Sequence, residues 1–101
     1  MDKTVLLTWN SHPQHERELF HHVREVMNKA SPLGLELRDA YYTIYGDAPE
    51  ILLRFTPRKE LEGKLEVILG SDEWKEIVDE VKQYVTDYQE RVVKAADHFQ
   101  F

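Results

Sequence analysis

Cysteine does not occur in this chain of 101 residues, and glycine and proline occur only four times each. The first absence excludes disulfide staples, thiolate metal sites and cysteine nucleophiles. The glycines at 34, 46, 63 and 70 stand too far apart to build a glycine-rich phosphate cradle. Apolar runs stop at three or four residues, far below the length that spans a bilayer. The start, Met1-Asp2-Lys3-Thr4, lacks the apolar stretch of a signal peptide. Basic blocks are missing too: acidic residues outnumber basic ones 8 to 5 over residues 1–50 and 11 to 8 over 51–101, and the net charge is −6. Such a chain has little with which to grip nucleic-acid phosphates. We therefore expect one soluble, cytoplasmic domain spanning residues 1–101, with no nucleic-acid or membrane partner.

What is present is a regular series of elements. Thr4–Asn10 is short, β-branched and aromatic, with Val5, Leu7 and Trp9 on one face of a strand. Ser11-His12-Pro13-Gln14 reads as a capped helix start, and Leu19, Phe20, Val23, Val26, Met27 and Ala30 follow at helical spacing. Ser31-Pro32-Leu33-Gly34 ends that helix. A second strand is expected over Leu35–Tyr45 and a third over Ile51–Phe55, joined as a hairpin through Gly46-Asp47-Ala48-Pro49. Thr56-Pro57 reads as a cap with proline at the first helical position, and Leu61, Leu65, Ile68 and Leu69 carry that helix to its stop at Gly70. Ser71-Asp72-Glu73 opens the next helix, whose buried stripe is Trp74, Ile77, Val78 and Val81.

Two readings compete for the C-terminal third. Trp74, Val78, Val81, Val85, Tyr88, Val92, Ala95 and Phe99 recur at steps of four and three, as in one long helix. Against that, Tyr84–Tyr88 and Arg91–Val93 are rich in β-formers, and a helical tail would leave a three-stranded sheet with an unprotected edge. We read helix to about Gln83 and a fourth strand across Val85–Lys94. The order is then strand–helix–strand–strand–helix–strand, the split βαβ or ferredoxin-like arrangement, α+β, with helices on one face of a four-stranded antiparallel sheet and the second helical region broken at Gly70.

The other face of that sheet is partly apolar. By simple alternation Leu6, Tyr42, Ile44 and Leu52 fall on it, over roughly 300 Å² in projection. A patch of that size points to a homodimer joined through its sheets. A mixed, wet face with scattered leucine and tyrosine is the plainer alternative. Arg38 and Asp39 in the second strand suit a cross-strand or intersubunit pair.

The element order, the helix start Ser71-Asp72-Glu73-Trp74 and the segment Tyr84-Val85-Thr86-Asp87-Tyr88-Gln89-Glu90-Arg91-Val92-Val93 resemble the dimeric α/β-barrel superfamily. The resemblance implies two ferredoxin-like protomers sharing a barrel, with a pocket between helices and sheet. Small cofactor-free monooxygenases of the antibiotic-biosynthesis type and stress-response proteins are members of that group. On that resemblance the pocket is expected at Trp9, Asn10, Tyr41, Tyr45, Arg54 and Trp74. Asn10 is the counterpart of an asparagine that helps those monooxygenases bind substrate, while Trp9 and Trp74 also read as core aromatics. No histidine follows at the spacing of the haem-degrading members. No cofactor is expected.

Histidine is concentrated at His12, His15, His21 and His22, with His98 apart. Glu18, His22 and Glu25 could meet at helical spacing around a divalent ion, but a solvated helix face is the simpler reading, and no metal site is expected. Two functions remain open: binding or oxidising a small aromatic ligand, or a non-catalytic role in dimerisation or partner binding.

Overall fold

The computed structural model describes residues 3–11 and 19–94. Its elements are β1 (Lys3–Ser11), α1 (Leu19–Ala30), β2 (Leu35–Tyr42), β3 (Ile51–Pro57), α2 (Leu65–Leu69), α3 (Asp72–Lys82) and β4 (Val85–Lys94). Single 3₁₀ turns lie at Ser31–Leu33 and Lys59–Leu61. The strands form one antiparallel sheet in the order β2-β3-β1-β4. Each βαβ crossover therefore skips a strand, which is the arrangement the element order predicts.

One face of this sheet carries the core. Val5, Leu7 and Trp9 of β1 and Ile51, Leu53 and Phe55 of β3 are buried together with Val26 and Ala30 of α1, Leu65 and Ile68 of α2, and Trp74, Ile77 and Val81 of α3. Each of the larger side chains contributes about 1.5–3 kcal/mol by leaving water. The C-terminal conflict resolves as a strand, because Val85–Lys94 pairs along the length of β1. Those backbone bonds and the burial of Val85 and Tyr88 against the core outweigh the helical spacing.

Three local expectations change. Ser11 ends β1 opposite Val85, and its hydroxyl donates to Glu50, while the helix start expected over His12-Pro13-Gln14 lies outside the described residues. Strand β2 stops at Tyr42, and Thr43–Glu50 forms the hairpin loop, closed by Thr43 N donating to Glu50 O at 2.9 Å. Thr56 and Pro57 stay in β3 rather than opening a helix, held by pairing with Glu36 and Leu35. The long helix expected from Leu61 shrinks to the five residues of α2, because Gly63 at φ 83° turns the chain between the 3₁₀ turn and Leu65.

Ser71 caps α3 as its sequence implies. Its Oγ accepts from Trp74 N at 3.2 Å and donates to Ile68 O at 2.7 Å, which ties the end of α2 to the start of α3. Asp72 and Glu73 then sit in the first turn, at the positive end of the helix dipole.

The turn into β2 depends on Gly34. Its φ is 95°, and a Cβ there would fall 2.1 Å from Leu61 Cδ1. Its carbonyl also accepts from Arg58 N at 2.7 Å, which locks the start of β2 to the chain leaving β3. Gly34→Ala is expected to destabilise by roughly 2–4 kcal/mol, a left-handed backbone cost with a steric clash on top. Gly46→Ala, with open space around the new carbon, should show the backbone cost alone. Urea unfolding of both variants checks this; equal losses would show that the Leu61 contact is unimportant.

Candidate functional site

Two irregularities in the sheet decide where the chemistry-bearing side chains go. On β2 the register passes from Leu37↔Phe55 to Asp39↔Arg54, so Arg38 is an extra residue. On β4 it passes from Thr8↔Gln89 to Asn10↔Thr86, so Asp87 and Tyr88 together oppose Trp9. Each bulge exchanges the faces of the residues beyond it.

The β4 bulge gathers most of the unusual features of the described chain. Asp87 has a positive φ of 55°, the one non-glycine residue there to do so. Asparagine and aspartate tolerate that conformation better than other residues. Asn10 fixes it: Nδ2 donates to Asp87 Oδ2 at 3.0 Å, while Oδ1 accepts from Glu50 N at 2.8 Å. One amide thus joins the bulge to the hairpin loop. Next to Asp87, Tyr88 keeps the alternation of Glu90 and faces Trp9, and the rings stack at 6.1 Å between centroids with 16° between planes. Trp74 of α3 completes the group, its Nε1 donating to Glu90 at 2.7 Å.

Beside these aromatics, between α3 and β4, lies a cleft of about 370 Å³ with Leu69, Trp74, Val78, Tyr88 and Glu90 among its walls. The Tyr88 hydroxyl is buried and has no hydrogen-bond partner among the described residues. Burial, with the Glu90 carboxylate as a smaller influence, pushes its pKa well above the ordinary tyrosine range. It is therefore a neutral donor and not an ionised base. Lys82 Nζ stands 5.5 Å from the centre of the Tyr88 ring.

The residues expected to share a pocket divide into three groups. Trp9 and Trp74 are buried in the core on the helix side of the β4 bulge, while Asn10, next along β1, bonds Asp87 from the other face. Tyr45 lies in the hairpin loop at 95% exposure, lining with Asn10 a separate open hollow of about 410 Å³. Tyr41 and Arg54 lie on the opposite face of the sheet, where Arg54 Nε donates to Asp39. The residues missed by the sequence reading are Asp87, Tyr88 and Glu90. All three stand in the segment whose character as helix or strand was in conflict, so their faces could not be assigned.

The uncovered sheet face changes in the same way. Leu6 and Leu52 lie on it as alternation predicts. Tyr42 does not: the Arg38 bulge turns it to the helix side, paired with Ile51 and 6.1 Å from the Phe20 ring. Ile44 lies beyond the strand in the loop, 90% exposed. Tyr41 takes the place expected for Tyr42. Two rows result, Tyr41–Leu52–Thr8–Gln89 and Asp39–Arg54–Leu6–Arg91. Asp39 pairs with Arg54 across strands, while Arg38 reaches Glu36 at 2.9 Å and Thr56 at 2.8 Å.

On α1, His21 pairs with Glu25 at 3.0 Å, and His22 is buried with its ring 4.8 Å from that of Tyr84. Among the described residues no group of three or more potential ligands forms a metal site. Glu18, His12, His15 and His98 lie outside them. No helix of the described chain is long and apolar enough to cross a membrane.

No protein-family profile matches the chain, and no curated protein sequence does. Solved structures do. Rv0793 from Mycobacterium tuberculosis matches with a TM-score of 0.66 and 16% identity over 99% of this chain and 100% of that one. An uncharacterized NIPSNAP domain protein from Burkholderia xenovorans gives 0.62 and 9% identity over 98% and 99%. A structure described as an antibiotic biosynthesis monooxygenase gives 0.56 and 12% identity over 93% and 98%. The fold is the ferredoxin-like α+β fold of these proteins. At such identities the ferredoxin-like frame is what is shared, and a shared frame does not choose an activity.

The Tyr88 environment makes a direct prediction. A buried hydroxyl without a partner costs about 1–3 kcal/mol, so Tyr88→Phe should leave stability unchanged or raise it by about 1 kcal/mol in urea. A loss larger than that would mean the hydroxyl is bonded. The raised pKa also has a sign: the stability it represents is present below the ordinary value of 10.0 and is lost as pH climbs above it. Unfolding measured from pH 8 to 11 (about three units) should therefore show a decline that Tyr88→Phe reduces.

Proposed function

We propose that this chain works as a homodimer joined through the uncovered faces of its sheets, and that its role is non-catalytic binding. The observation carrying this reading is the face itself. Tyr41 (63% exposed), Leu6, Leu52 and Val93 lie on it, and no element of the described chain covers it. Its charges are partly neutralised in place, Asp39 by Arg54, so less is lost when water leaves. Arg91, whose guanidinium donates to Gln89, stays at the β4 side as a rim group.

The enzymatic alternative, oxygenation of a small aromatic ligand, has less support. The interior volume where a substrate would lie between helices and sheet is occupied by Trp9, Trp74 and Tyr88. Arg54 is on the far face, and Asn10 spends its amide on Asp87 and Glu50. The hollow that Asn10 lines does not include Arg54.

Light scattering of the whole chain tests the proposal, with the mass at micromolar concentration expected to be twice the 12.0 kDa of one chain. Leu52→Asp places a charge in the centre of the face and should give a monomer with unchanged far-ultraviolet circular dichroism. A monomeric mass for the unaltered chain, or a Leu52→Asp variant that stays dimeric, would overturn the reading.

A further inference from the structure

The α3–β4 cleft holds a combination that neither the core nor the dimer face uses. Its apolar part is Leu69, Val78 and the Trp74 indole, beside the Tyr88 ring. Its charged part carries both signs: Lys75, Asp79 and Lys82 from α3, and Glu90 from β4. The three α3 residues recur at steps of four and three, so they stand along one side of the helix. Among the described residues no ion pair forms within this set of four. Lys82 instead lies by the Tyr88 ring, and Glu90 receives the Trp74 indole N–H at 2.7 Å. Two cations and two anions therefore line one opening of about 370 Å³ without closing an ion pair among themselves. That volume lies in the range of small-molecule sites.

An anion alone would meet Glu90 and Asp79 there, and a cation alone would meet Lys75 and Lys82. A molecule carrying both charges on an apolar body satisfies each. We propose that the α3–β4 cleft binds a small aromatic zwitterion, an aromatic amino acid, with its ammonium toward Glu90 and Asp79 and its carboxylate toward Lys82 and Lys75. The ring then lies against Leu69 and Val78, above the nearly buried Trp74 indole. Tyr88 is kept neutral in this wall, so it adds no third negative charge. The Asn10–Asp87 bond holds Tyr88 and Glu90 in place from behind, which builds the cleft before a ligand arrives. This inference concerns the single chain and stands apart from the dimer.

Calorimetry and nitrogen–proton NMR of the full chain with L-phenylalanine test it. The two tryptophans give two indole N–H signals, and Trp74→Phe identifies which belongs to the cleft. Phenylalanine is expected to move the Trp74 signal and to bind roughly tenfold more tightly than 2-phenylethylamine or 3-phenylpropanoate, each of which lacks one charge. Glu90→Gln keeps an acceptor for the indole and removes only the charge; it should weaken binding about fivefold, as should Lys82→Met. Lys64→Met, outside the cleft lining, is the control and should bind as the unaltered chain does. Equal affinity for the single-charge analogues would overturn the proposal. So would movement of the Trp9 signal alone, or no heat and no shift at about 10 mM, where even millimolar binding would be visible.

Discussion

The pairing of β1 with β4 is the constraint on which the rest of the molecule depends. β1 lies inside the sheet, and its Val5, Leu7 and Trp9 form the centre of the core. β4 must lie beside it along ten residues and still turn Tyr88 onto Trp9. The register that runs from Lys3↔Lys94 to Thr8↔Gln89 already sets Tyr88 against Trp9, but continued unchanged it would turn Thr86 inward and Val85 outward. The extra residue at Asp87 brings Val85 to the core side instead, and the Asn10 amide holds Asp87 in its left-handed conformation. The same few bonds position Glu90 for the Trp74 indole, so the core and the α3–β4 cleft share a support.

The elements were largely legible in the sequence, whereas the faces were not. β1, β3 and α3 announce themselves through period, cap and apolar stripe, and Gly70 separates α2 from α3 where the sequence places a stop. Strand β4 was legible only through its β-branched and aromatic content, since its apolar spacing imitates a helix. The assignment of faces fails beyond each bulge. Alternation from Leu35 puts Tyr42 on the open face, but Arg38 adds one residue and Tyr41 goes there instead. A bulge needs no glycine or proline, so Arg38 and Asp87 carry no local mark. Trp9, Asn10 and Trp74 were named as candidates from the resemblance and their places near element ends, and Tyr88 was not, because its strand imitates a helix in its apolar spacing.

Filling of the interior moves the open space of this ferredoxin-like frame to its margin. Helices and sheet close on two tryptophans and a tyrosine, leaving space at the margin rather than between the layers. That marginal space is bordered by exposed charges of both signs over an interior of buried aromatic rings.

Both bulges have a further effect through their position. The order β2-β3-β1-β4 makes β2 and β4 the two edges of the sheet, and each of them carries one bulge. An edge strand offers a free row of amides and carbonyls on which another chain can zip. Arg38 interrupts that row on one side and Asp87 on the other, each with a charged side chain at the break. Both edges thus carry the kind of interruption that disfavours growth by edge addition, the route to fibres.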